Sequence, residues 1–238
     1  MARAIAARLA GDCFQARWFW HHATRLVSGS ECIEKVGFEV SRFKAFDDVI
    51  VQFKKPVPDR NGKWVVAEYY QVKFHVRGSG CINLDALMDH EFINATSVSL
   101  LQRLKQAYLQ SVSAKEPSLF HLVTPWGVHP DDVLYELLEN EHGKLRLDVL
   151  MDGTGDNSRM GKVRTTLRTH LGCTNDDDLS DILSCFRIRG FPMHLESFQE
   201  DLLNPAFAAA GLAVVERDRQ FNEYDDLIWK LHGEGPCL

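Results

Sequence analysis

Two short apolar runs constrain this chain more than any other feature: "FDDVIVQF" at residues 46–53 and "YYQVKF" at 69–74. Their β-branched and aromatic residues favour strands, yet each run carries polar side chains where a fully buried strand would hold apolar ones. Alternate side chains of a strand share a face. Gln71 and Lys73 therefore point one way and Val72 and Phe74 the other, while Asp48, Ile50 and Gln52 lie opposite Val49 and Val51. The intervening "PVPDRNGK" has turn chemistry in Pro58, Asn61 and Gly62, so the runs read as neighbouring strands that could bring Asp48 beside Gln71 and Lys73. A carboxylate, an amide oxygen and the carbonyl of Val72 are hard oxygen ligands suited to Mg²⁺, with a lysine placed to orient water or meet charge on a phosphate. Taken singly, the same residues also read as Asp47 and Asp48 ending a strand at a turn and Lys73 reaching water from an edge strand. Asp47 replaces Asp48 if the strand register slips by one residue.

The surrounding order gives the pair its context. Phe14, Trp18, Phe19, His22 and Leu26 have helical spacing, which predicts a helix over 13–27 with Asp12 as N-cap after Gly11. "ECIEKVGFEVSRF" is a strand with imperfect alternation, and "WVVAEYYQVKFHV" is a longer one, so a helix leads into a three-stranded antiparallel meander. A loop and short helix in "GSGCINLDALMDHEF", a long amphipathic helix through "SLLQRLKQAYLQSVS" and a buried strand "SLFHLVTPWG" complete a core over residues 1–128. Residues 129–238 read as a mainly helical extension, within which "FRIRGFP" is either a short strand or an extended linker. The class is α/β.

Composition excludes some alternatives. No apolar run reaches the roughly 18 to 20 residues that a membrane span needs, and the N-terminus lacks a signal-peptide pattern, so the chain reads as soluble and cytoplasmic. The six cysteines show neither a CxxC pair nor a Cys/His cluster, which argues for reduced thiols and against structural zinc. The net charge of −6 is unevenly spread: residues 1–80 hold 13 Lys and Arg against 8 Asp and Glu, and the remainder 14 against 25. A basic first third is compatible with local phosphate binding. His75, next along the Lys73 strand, could contact phosphate or serve as a structural histidine; "MDGTGDNSRMGK" lacks phosphate-loop spacing and reads as a connection.

The order helix, strand, acid-led strand, Q-x-K strand, helix, strand resembles the PD-(D/E)xK nuclease superfamily. More narrowly, "GDCFQARWFW", "FEV", "FDDVIV" and "YYQVKFHV" resemble the N-terminal endonuclease domain of bacterial anti-phage effectors, both CD-NTase-associated and STAND NTPase proteins. The resemblance covers residues 11 to 125 and continues more loosely to 232. It implies a restriction-endonuclease-like core and Mg²⁺-dependent cleavage of double-stranded DNA, with Mn²⁺ as a possible substitute. By the same resemblance Asp48 is the metal-binding aspartate, Gln71 stands at the usual acidic position, and Lys73 is the motif lysine. Glu39 matches an acidic position on the preceding strand and completes the metal set, and Gln15 faces the site from the first helix. The pattern departs in two places: no proline precedes Asp48, and Gln71 removes one negative charge. The resemblance further implies a homo-oligomer and sensor or NTPase domains after "YDDLIWKLHGEG", so that the chain is expected to be a piece of a larger protein. The alternative from another class is a catalytically weak nuclease-like module that binds nucleic acid or assembles oligomers.

Overall fold

The computed structural model describes residues 2–29, 32–59, 62–74, 80–139, 142–153, 155–190, 197–215 and 222–234. His75 and the end of the "FRIRGFP" segment lie outside them. Helix α1 covers Ala2–Val27, starting well before the expected Cys13. The run "ARAIAARLA" is rich in the strongest helix formers, and a helix already propagating tolerates a single interior glycine at a cost of about 1 kcal/mol. Gly11 and Asp12 thus sit inside the helix, and Asp12 pairs with Arg8 one turn back at 3.9 Å instead of capping.

Strands β1 (Ile33–Phe38), β2 (Val49–Pro58) and β3 (Trp64–Val72) form the expected antiparallel meander. After β4 (Cys81–Ile82) and α2 (Leu84–Met88), helix α3 (Leu100–Ser113) opens on a capping box. In it the Ser99 hydroxyl accepts from the Gln102 N–H and the Gln102 side chain accepts from the Ser99 N–H. Strand β5 (Ser118–Thr124) then pairs parallel to β3, an arrangement that the long crossover through α3 makes possible. β6 (Gly127–Val128) pairs with β4 in a separate two-stranded sheet.

The sheet continues past residue 128. After α4 (Val133–Leu137), α5 (Leu147–Leu150), α6 (Arg159–Leu171) and α7 (Asp176–Ser184), strand β7 (Phe186–Gly190) docks parallel to β5, giving the order β1-β2-β3-β5-β7. The architecture is mixed α/β with a mixed sheet, and the segment left open as strand or linker is a strand. A π-helical turn (Phe198–Leu203), α8 (Asn204–Ala209) and α9 (Glu223–Glu234) close the described chain.

Each sheet face has its own core. Ile50, Tyr69, Phe120, Leu122 and Phe186 meet the apolar faces of α2 to α7 on one side; Val49, Val51, Tyr70 and Val123 meet Phe14, Trp18 and Phe198 on the other. Burying each such side chain is worth about 1.5–3 kcal/mol. Helix α9 is fastened to α1 by a buried ion pair, Arg17 Nη2 to Asp225 Oδ2 at 3.0 Å, and by Trp20 Nε1 donating to the Tyr224 carbonyl at 2.8 Å. Among the described residues no helix is long and apolar enough to cross a membrane.

Candidate active site

The C-terminal end of β1 and the N-terminal end of β2 adjoin, and their pairing runs on past the strands: the Glu39 N–H donates to the Asp48 carbonyl and the Val40 N–H to the Asp47 carbonyl, each at 2.9 Å. This sets Glu39 and Asp48 side by side. Glu39 holds a left-handed backbone, φ 51°, which a residue with a Cβ adopts only when its surroundings enforce it. Its carboxylate accepts a short hydrogen bond from Gln15 Nε2 on α1. One turn of helix and one strand end thus fix a single acid.

Asp48 is held in the same manner from β3. Its Oδ2 accepts from Gln71 Nε2 and from the Val72 N–H, the latter at 2.6 Å. Since the N–H and C=O of a strand residue face the same neighbour, the Val72 carbonyl also lies on the β2 side. Beyond Val72 the N–H of Lys73 donates to the Val123 carbonyl at 2.8 Å, so β5 carries the strand geometry through to the lysine. Gln71 and Lys73 thereby share the face of Ala67 and Tyr69, where that face runs out of apolar cover.

The electrostatics follow from burial. Removal from water raises Asp48 to about 7, reinforced by Glu39 and Asp47 and opposed by the Val72 N–H and Lys73. Burial also pulls Lys73 below the ordinary lysine range; Arg103 adds to this, while Asp48, Asp47 and Glu39 oppose it. Asp47 is raised too, chiefly by burial, with Arg103 and Lys73 countering. Burial thus brings Asp48 to about 7 and shifts Asp47 and Lys73 toward their neutral forms, the pattern of a desolvated polar site.

The structure therefore brings Gln15, Glu39, Asp48, Gln71 and Lys73 to one corner. Arg103, from the first turns of α3, joins their electrostatic neighbourhood and was not foreseen. Its only sequence signal is the helix start at Ser99, since a helical arginine reveals nothing of where its helix crosses the sheet. Among the described residues there is no group of three or more His, Cys, Asp and Glu side chains able to hold a metal. The donors are two carboxylates, Glu39 and Asp48, plus the Gln71 amide. That set suits a hard cation keeping several waters, and a cation would offset both the burial that chiefly lifts Asp48 and the smaller repulsion from Glu39 and Asp47. Gln71 presents its nitrogen to Asp48, so it would offer oxygen to a cation only after turning its amide over.

No protein-family model matches the chain. Over 224 residues, 93% of its length, it is 39% identical to CD-NTase-associated protein 4 from Enterobacter hormaechei subsp. hoffmannii, of which the match takes in 44%. The chain thus spans less than half of that relative's length and is similar, almost from end to end, to one part of a bacterial CD-NTase-associated protein.

Proposed function

We propose that the chain is the nuclease module of a CD-NTase-associated anti-phage effector, built on a restriction-endonuclease-like core and hydrolysing phosphodiester bonds of double-stranded DNA with Mg²⁺, or Mn²⁺ in its place. The carrying observation is the corner at the β1–β2 junction: two acids, each held by a glutamine amide, beside a desolvated lysine. Asp48 and Glu39 would hold the cation, with the Gln71 amide oxygen as third donor. Bound there, a divalent cation supplies charge neutralisation at the phosphate and activation of water. Gln15 holds the Glu39 carboxylate in place, and Lys73, with Arg103 behind it, offers positive charge to phosphate oxygens. The lowered pKa of Lys73 also eases proton transfer at Nζ. Homo-oligomer assembly and sensor or NTPase domains in a longer protein, where the relative has its remaining length, belong to the same proposal.

Supercoiled plasmid incubated with the protein and Mg²⁺ should be nicked and linearised, and should survive intact in EDTA or with Lys73→Ala. Undiminished cleavage by Lys73→Ala would refute the mechanism. A specific observation favours a second reading, that of a nucleic-acid-binding or assembly module: Gln71 supplies no charge, and its amide donates to Asp48. Retention of DNA in both Ca²⁺ and Mg²⁺ without any cutting would select that reading.

A further inference from the structure

A second constellation lies on the opposite face of β3. Glu68 and Gln71, three residues apart, face opposite sides of the strand. On the α1 side, β3, β5 and β7 carry Glu68, His121, Arg187 and Arg189, with His121 opposite both Tyr70 and Arg187 in the strand register. A cleft of about 960 Å³ opens here, and none of the five residues of the candidate active site lines it.

Most charges in the cleft already have partners. Arg187 Nη2 donates to Asp59 Oδ2 at 3.0 Å, its Nη1 to the Ser184 and Phe186 carbonyls, and Glu68 accepts from the Tyr70 hydroxyl. His121 differs. It is 0% exposed, its ring stacks on Tyr70 at 4.4 Å, and neither ring nitrogen has a hydrogen-bond partner among the described residues. The Glu68 carboxylate stands 3.8 Å from Nε2, too far to serve. Arg189 Nε is likewise buried without a partner among the described residues. Polar groups this buried are almost always bonded, so the imidazole and guanidinium have capacity for something the chain does not supply. Lys144 and the Asp59-paired Arg187 line the same cleft, where Asp59, Glu68 and Glu139 balance them, so the place for an anion is set by the nitrogens of Arg189 and His121 that lack a partner among the described residues. Across the cleft, Tyr135 is 50% exposed and offers an open aromatic surface.

We propose that this cleft binds a phosphate ester with a flat organic body, its phosphate on Arg189 and His121 and its ring against Tyr135. Arginine and histidine donors match phosphate oxygens. The volume sits at the upper end of the range for small organic ligands, well beyond what bare phosphate fills. Burial and the two guanidiniums hold His121 neutral, well below its ordinary pKa, a condition that a bound anion would reverse. The ester could be a free nucleotide or the phosphorylated end of a nucleic-acid strand.

Calorimetric titration of the chain with adenosine 5′-monophosphate, inorganic phosphate, and a short oligodeoxynucleotide with or without a 5′-phosphate distinguishes these. Saturable binding of the nucleotide, or of the phosphorylated oligonucleotide alone, is expected, weakened at least about tenfold by Arg189→Gln and by the milder His121→Gln. Lys73→Ala should bind the mononucleotide as the parent does, which separates this cleft from the nuclease reading. No binding of any phosphorylated probe, affinity unchanged in both variants, or inorganic phosphate binding as well as the esters would overturn the assignment. Thermal melts of the variants confirm that each is folded.

Discussion

The two faces of β3 handle buried polar groups in opposite ways. On the face of Gln71 and Lys73, each acid is tied to a glutamine, and the cluster sits where the apolar cover ends. On the α1 face, the Arg17–Asp225 pair is wholly enclosed and joins two helices, while His121 is enclosed without a hydrogen bond among the described residues. Enclosure makes a polar group matter to the fold; a position at the rim makes it matter to chemistry. Substitutions on the α1 side should therefore cost stability, and those at the corner should cost activity.

The largest expected effect is on the α1 side. Asp225→Ala leaves the buried Arg17 guanidinium without this carboxylate and should lower unfolding free energy by about 3–5 kcal/mol in urea denaturation. A near-zero change would break the comparison. At the corner, Asp48→Asn should reduce Mg²⁺-dependent plasmid cleavage at least about a hundredfold, near 3 kcal/mol of barrier. The same variant should melt higher than the parent at pH 8. With its folded pKa raised to about 7 from 3.8, Asp48 makes the fold less stable as pH rises through that window, and asparagine carries no such charge. A smaller gain comes from Gln71→Glu, which restores an acidic ligand and should tighten Mg²⁺ binding about tenfold by titration calorimetry.

The smallest effect sharpens the contrast through pH. His22 and His121 are fully enclosed, and burial holds both well below the ordinary 6.5. Below that value the unfolded chain takes up protons that the folded chain refuses, so stability falls on acidification. His121→Gln should remove about 1 kcal/mol of that loss between pH 6.5 and 5.5, measured by urea denaturation. An unchanged acid limb would show that His121 takes up its proton without unfolding.

Legibility divides along related lines. The shared face of Asp48, Gln71 and Lys73 was readable because strand alternation is a local property and a short turn fixes which strands meet. Gln15 and Glu39 came from the family resemblance; no periodicity connects a residue on α1 to one held at φ 51° beyond the end of β1. The start of α1 was misplaced because Gly11 and Asp12 carry a strong local stop signal that the helix-forming run before them overrides. "FRIRGFP" could not be resolved because five residues show too few alternations, and only docking on β5 makes them a strand.

By itself, the sequence determined the meander, the buried strand that is β5 and the polar face of β2 and β3, all consequences of side-chain period and connection length. Tertiary structure alone decided that Arg103 approaches the corner, that β7 extends the sheet, and that Glu68, His121 and Arg189 share a cleft. These placements depend on contacts between residues far apart in the chain, whose register is set by packing of the two cores and leaves no periodic trace in the sequence.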